Sequence, residues 1–335
     1  MSAPDLAARV RASLVLSRRW HPAEAVFWLG AVAAAFVFPR QLLLMNEIAI
    51  LALFALSLDL ILGYAGIVSL GHAAFLGMGA YSAGLLAKHV TADPLLGLLV
   101  GMAASGALGL ITSPLVLKGN DLTRLMVTLG VGLLMLELAN ALSAVTGGAD
   151  GLQGIMMGPL FGQFDFDLFG HTAYAYSLGV LFVLFVVARR IAHSPFGLSL
   201  RAIRDNPLRA TASGVPRSGR LAAVYTLSAA YAGAAGALLA QTTQFVSLDV
   251  LDFHRSADVM LVLIIGGAGY LYGGLIGSIA FKFLQDFISG FTPQYWQFWI
   301  GLFLVAFVLG GREIIHGRIR AALARLPFQK PGRRP

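Results

Sequence analysis

RRIAHSPFGLSLRAIRDNPLRATASGVP, from Arg189 to Pro216, is a polar, arginine-rich stretch set between two long apolar segments. It carries Arg189, Arg190, Arg201, Arg204 and Arg209 against one acid, Asp205. In a chain that is otherwise mostly hydrocarbon, such a stretch reads as a water-exposed loop of a membrane protein. Its punctuation is ordered. Ser194-Pro195 suits a helix start, with serine as N-cap and proline in the first turn. Leu198–Ile203 reads as a short amphipathic helix, Asn206-Pro207 breaks it, and a second piece, Leu208–Ala212, ends at Gly214. Arginines that only fix orientation would explain the charge but not this order. Two short helices across a basic loop predict a knob that docks a soluble partner.

Composition agrees with the membrane reading. Hydrophobic residues make up 58% of the 335 and charged residues 12%, against about 45–50% and about 25% in soluble domains. Glycine, at 39 residues, is also more frequent in membrane helices than in soluble ones. There is no cysteine, which excludes disulfides, thiolate metal sites and cysteine nucleophiles.

A spanning helix needs about 20 mostly apolar residues. Leu95–Leu117, Leu125–Ala144, Tyr174–Ala188, Leu221–Ala240 and Trp296–Leu309 qualify as they stand. Val26–Phe38, Ile48–Leu62, Leu70–Ala87, Val259–Ile265 and Leu271–Phe287 are shorter or interrupted by glycine. The expectation is an all-α polytopic membrane protein of about ten segments, some broken or re-entrant. Residues 1–25 and 312–335 form basic tails around a membrane domain at 26–311, whose docking loop is 191–218. Arg18-Arg19 ahead of an apolar run resembles a signal peptide, but no clear cleavage site precedes Pro39-Arg40, so a retained first helix is expected.

Lysine and arginine set the orientation. With both termini in the cytoplasm, the inside holds Arg9, Arg11, Arg18 and Arg19, then Lys118 and Arg124. It also holds the loop arginines with Arg217 and Arg220, and the C-terminal group Arg312, Arg318, Arg320, Arg325, Lys330, Arg333 and Arg334. Only Arg40, Lys88 and Arg255 fall outside, while Lys282 falls within a span. Asp93, Asp150, Asp165, Asp167, Asp249 and Asp252 are outside. The net charge of +8 is thus the ordinary basic face beside anionic lipid, not a nucleic-acid surface.

Chemistry is conspicuous by its missing parts. The dipeptide Gly-Lys does not occur, so no phosphate-cradling loop with its lysine exists here. No His-x-x-x-His pair suggests a metal. Ser69 and His72 lie three apart, a faint likeness to an intramembrane hydrolase. The plainer reading is a small packing serine and a polar group at a helix start.

Two glycine-rich stretches stand out. In GYAGIVSLGHAAFLGMGAY, Gly63–Tyr81, the glycines permit either a broken segment lining a path or close helix packing. In GGAGYLYGGLIG, Gly266–Gly277, Gly269, Gly273 and Gly277 recur every four residues, which on one helix is a packing stripe. Ionisable groups inside spans are functional candidates. Here they are Asp59, one turn before Gly63, and Glu137, three residues before Asn140. Lys282 and Asp286, four apart, suit a structural pair. The residues expected along a path are therefore Asp59, Gly63, Tyr64, Gly66, Ser69, Gly71, His72, Glu137, Gly266, Gly267 and Gly269.

From Leu42 to Gly310 the chain resembles the permease subunits of branched-chain amino-acid ABC importers, of the LivM type. The resemblance is carried by GYAGIVSLGHAAFLGMGAY, by TGGADGLQGI (Thr146–Ile155), by SPFGLSLRAIRDNPLRATASGV and by GGAGYLYGGLIG, in that order. It implies about ten helices in the inner membrane of a bacterium and a sister permease. It further implies two cytoplasmic ATPase subunits carrying ATP and magnesium, and a periplasmic solute receptor. No cofactor is expected on this chain. The loop at 194–216 becomes the coupling segment, with Pro195, Phe196, Gly197, Arg201, Ala202, Arg204, Asp205, Asn206 and Gly214 as its ATPase-coupling residues. The receptor is expected near 146–155 and 243–255. Gly273-Gly274 stands where the family more usually has Gly-Pro, and the long basic N-terminal tail is extra. Relatives carry leucine-type amino acids, urea, short amides or aromatic acids. Outside the family, a proton- or sodium-coupled transporter using Asp59, Glu137 or Lys282 is the rival reading, and an intramembrane enzyme using Ser69 and His72 is a third.

Overall fold

The computed structural model describes residues 22–167 and 169–309. The basic tails, with residues 1–21 and 310–335, lie outside the described residues. Each of the ten expected apolar segments falls on a helix. These are α1 (Pro22–Val37), α2 (Leu42–Leu62), α3 (Ala73–His89), α4 (Pro94–Leu117), α5 (Asp121–Ala141), α7 (His171–Ala192), α10 (Arg217–Thr243), α11 (Phe253–Gly266), α12 (Leu271–Phe291) and α13 (Trp296–Leu309). A single turn, α6 (Ser143–Thr146), follows α5, and the basic loop folds as α8 (Pro195–Asp205) and α9 (Pro207–Ala212). Among the described residues, five helices are long and apolar enough to cross a bilayer, six if the bent pair α11–α12 counts as one span.

Backbone groups inside a bilayer must be satisfied within the protein, and local sequence does this at several ends. Asp93 caps α4, accepting from the Leu95 and Leu96 N–H groups at 2.9 and 3.4 Å. Asn120 caps α5 by accepting from Thr123 N–H at 2.9 Å. Pro114, inside α4, has no N–H to offer the Leu110 carbonyl. The Ser113 hydroxyl donates to that carbonyl instead, at 2.9 Å.

The hub is α10, whose run of alanine and glycine packs against α4, α3 and α2. Small residues let helices approach closely where lipid offers no hydrophobic driving force. Gly236 faces the Leu76 carbonyl of α3, and Gly79 of α3 faces the backbone of Gly233. Ser105 of α4 donates to the Phe75 carbonyl at 2.8 Å. Around this crossing α2 has no distinct polar face and is buried without a break from Ala52 to Ile61, as a helix at the centre of a bundle must be.

Two of the interrupted segments are irregular where glycine predicts it. Residues 63–72 form no helix, yet most are buried, so α3 starts at Ala73 rather than Leu70. α11 has 14 residues, about 21 Å at 1.5 Å per residue, short of a hydrocarbon core of about 30 Å. The chain then turns by 110° into α12. The four-residue glycine stripe is only partly realised. Gly269 lies in the turn with φ +85°, before α12 begins. Gly273 and Gly277 do pack, against the carbonyls of Gly267 and Val262 on the α11 side.

The chain divides into two compact units, Met1–Ala280 and Phe281–Pro335. In the described part of the second, Phe287 and Phe291 meet edge to face at 5.1 Å.

Candidate functional site

At the end of the first unit that carries Arg189, Arg201 and Arg204, α2, α8 and the α11–α12 turn converge. The side chain of Asp59 is completely buried, and its Oδ1 accepts the Gly269 N–H at 2.6 Å. Gly63, which follows α2, has no room for a side chain: a Cβ would strike the Asp59 carboxylate and the Gly269 backbone. The Gly63 carbonyl accepts a hydrogen bond from the Arg204 guanidinium. Gly66 has φ +72°, and a Cβ there would lie 2.8 Å from Arg204 Cγ. Arg201 lies over the Tyr64 ring at 4.9 Å, a cation–π contact. Five path candidates (Asp59, Gly63, Tyr64, Gly66 and Gly269) thus meet two coupling candidates at one junction. Gly266 and Gly267 instead belong to the α11–α12 crossing, where a Cβ at Gly266 would strike the Gly273 carbonyl.

Around the junction the loop builds its helices as its capping residues dictate. Ser194 caps α8, accepting from Gly197 N–H at 3.4 Å, and Asn206 caps α9, accepting from Arg209 N–H at 2.9 Å. With Pro195 in the first turn, α8 begins three residues before the apolar pattern suggests. Leu200 and Ile203 are buried beneath it. Gly197 presses on the Ala192 carbonyl, and Phe196 sits under the Arg220 guanidinium at 5.2 Å. Pro195, Ala202, Asp205 and Asn206 face outward. Gly214 stands in open space, and its φ of +82° is what calls for glycine. Arg201 and Arg204 both reach the bundle, at the Tyr64 ring and the Gly63 carbonyl, while Arg204 stays exposed. Sequence reasoning missed the outward apolar residues Leu198 and Leu208, the latter 83% exposed. An aliphatic side chain on the polar face of an amphipathic loop was the available signal.

Deeper in the unit lies a polar seam. His72 Nε2 stands 2.8 Å from the Ser57 hydroxyl, which itself donates to the Phe54 carbonyl at 2.6 Å. That assigns the ring hydrogen to Nε2 and leaves Nδ1 a buried acceptor without a partner among the described residues. The Ser69 hydroxyl is likewise buried without a partner among them, and His72 bonds Ser57, not Ser69. A hydrolase pair is therefore not assembled. Leu70 N–H donates to Thr128 at 3.2 Å, and Ala73 N–H to Ser256 at 2.8 Å. Gly71 abuts the Thr128 carbonyl. Beside this seam a cavity of about 100 Å³ is lined mostly by leucine and glycine, among them Leu70, Gly71, Leu136 and Leu251, with Phe253 and the polar Asp252 and Ser256. Glu137 is exposed on α5, two residues before Ala139, which packs with Leu152 and Val246 at the end away from the junction.

At the other end, residues 146–155 and 243–255 are brought together. Leu152 and Val246 exchange backbone hydrogen bonds of 2.7 and 3.3 Å. Gly147, Gly148, Gly151 and Gly154 all have positive φ, which accounts for the glycines of TGGADGLQGI. Among the described residues no group of three or more histidine or acidic side chains is placed to hold a metal.

Long apolar helices, buried irregular backbone and an amphipathic basic helix pair at one end are those of an α-helical integral membrane protein. Residues 41–308 match the family described as branched-chain amino acid transport system / permease component, and the chain belongs to that family. It is 28% identical over 285 residues to the high-affinity branched-chain amino acid transport system permease protein LivM of Escherichia coli K12. The match covers 77% of this chain and 65% of that relative. The LivM protein of Salmonella typhimurium LT2 is also 28% identical, with the same coverage. The chain thus spans slightly under two thirds of the length of these two relatives. A probable branched-chain amino acid transport permease protein LivH of Methanocaldococcus jannaschii is 26% identical over 252 residues, covering 72% of this chain and 77% of the relative. The chain matches no solved structure.

Proposed function

We propose that this chain is the permease subunit of an ATP-driven importer of branched-chain amino acids in the bacterial inner membrane. On this reading a sister permease, two ATPase subunits holding ATP and magnesium, and a periplasmic receptor complete the complex. The tails and the basic end face the cytoplasm. The observation that carries the reading is the junction of Arg204, Gly63 and Asp59 with Gly269. It ties the amphipathic α8 to the end of α2 and to the α11–α12 turn, so a push on α8 and α9 reaches both. The chain does no covalent chemistry. ATP hydrolysis on the partners moves α8, and the glycine-lined backbone at 63–72 and 266–269 takes up the change.

The family name favours leucine, isoleucine and valine over urea, amides or aromatic acids. The small cavity agrees. An apolar cavity of about 150 Å³ holds a benzene ring, so about 100 Å³ is room for one branched aliphatic side chain.

Two measurements test this. A tagged chain drawn from native membranes is expected to bring a Walker-type ATPase and a second permease; a clean homo-oligomer would sink the assignment. Leu208→Asp, which sets a charge on the outward face without disturbing the buried one, is expected to lower uptake at least about tenfold. A hot-spot residue lost from an interface costs about 2 kcal/mol or more. Receptor affinity should stay unchanged. Full uptake by this variant would remove α9 from the coupling surface.

A further inference from the structure

Next to the junction a cleft of about 730 Å³ opens between the ends of α1, α7, α8 and the α11–α12 turn. Its charged lining is uneven: Arg189, Arg201 and Arg204 against one carboxylate, Glu24. Glu24 is engaged by Arg189, and Arg204 is held by the Gly63 carbonyl and by Asp205. Arg201 has no carboxylate partner among the described residues; its guanidinium lies over Tyr64. His193 also lines the cleft, with Phe185 and Leu271 buried behind its surface, Tyr272 half-buried and Tyr270 76% exposed.

We infer that this cleft binds the phosphate of an anionic lipid headgroup from the cytoplasmic leaflet. Guanidinium groups bind phosphate oxygens through a fixed fork of donors. Basic pockets between spanning helices on the cytoplasmic side suit such headgroups. A free phosphate would find the same arginines. The aromatic side of the cleft distinguishes the two sources, because only a lipid brings glycerol and acyl carbons to lie against the half-buried Tyr272 and the exposed Tyr270. An exposed tyrosine at the rim matches the level at which aromatic residues meet the bilayer surface. Since Arg201 and Arg204 belong to α8, a bound headgroup joins the coupling helix to α7. The leaflet follows from the orientation proposed above, but binding itself requires no transport substrate.

The test uses the full chain with the subunits that co-purify, in phosphatidylcholine vesicles with and without one quarter phosphatidylglycerol. Lipid retained on the extracted complex is read by native mass spectrometry. Wild type is expected to retain phosphatidylglycerol preferentially, and Arg201→Gln to lose about fivefold of that preference, the worth of one basic residue near an anionic surface. Arg201→Lys keeps the charge and is expected to keep most of the preference. A role limited to stacking on Tyr64 would fail in both variants, which overturns the inference. So would an absence of preference in wild type. Displacement of the lipid by millimolar inorganic phosphate would assign the cleft to a soluble anion. Loss of the ATPase from Arg201→Gln with lipid retention unchanged would assign it to that partner. Because the readout is bound lipid, it can fail while amino-acid uptake is intact, and can succeed if the substrate is another.

Discussion

Gly236→Leu is expected to leave almost no folded, transport-competent protein in the membrane. A Cβ at position 236 would stand on the Leu76 carbonyl oxygen of α3, with the carbonyl carbon 2.8 Å away and the Ala80 nitrogen at 2.9 Å. Those atoms are helix backbone, so no side-chain rotation relieves the clash. The helices must separate along a crossing that also holds Gly79 against Gly233 and Ser105 against the Phe75 carbonyl. Overpacking commonly costs about 1–3 kcal/mol, and a clash with immovable backbone belongs at or above the upper end. Gly179→Leu, on α7, is the matched control, because a Cβ there would meet nothing within 4 Å. Size-exclusion profiles and thermal stability in mild detergent read the difference. A monodisperse Gly236→Leu protein with normal uptake would show that α10 does not cross α3 this closely.

Asp59→Ala is expected to uncouple rather than unfold. The variant removes the fully buried acceptor that holds Gly269 N–H at 2.6 Å. Leaving that N–H without its acceptor costs about 1–3 kcal/mol, which is about fivefold or more in an equilibrium. Uptake should fall by at least about that factor, with receptor affinity and complex assembly preserved. Asp59→Asn keeps a carbonyl oxygen for the same N–H, so it should retain most activity. Here the junction and the ion-coupled reading part company. A carboxylate that carried a proton or sodium ion would be lost in both variants, whereas a latch survives in asparagine. Equal loss in the two would remove the latch.

Much of this was legible in sequence. Ten apolar segments mark ten helices because hydrocarbon length and backbone satisfaction leave few alternatives to a helix. Ser194-Pro195 and Asn206-Pro207 mark the starts of α8 and α9 because capping is a property of a few neighbouring residues. TGGADGLQGI announces a loop of positive φ for the same local reason. The direction of Arg201 and Arg204 was not legible. An arginine on an amphipathic loop is equally compatible with facing a partner or the bundle, and only the approach of α2 decides between them. Gly269 misled because a four-residue spacing marks one face only while the helix continues, and here the helix starts at Leu271.

The sequence by itself determined the membrane class, the helix boundaries set by caps, prolines and glycines, and the family, since these rest on local chemistry and on motif order. Tertiary structure alone decided that Asp59, Gly63, Arg204 and Gly269, separated by up to 210 positions, form one junction. It also decided that Glu137 stands outside it. Contacts between distant segments depend on which helices pack together, and packing is a property of the whole bundle.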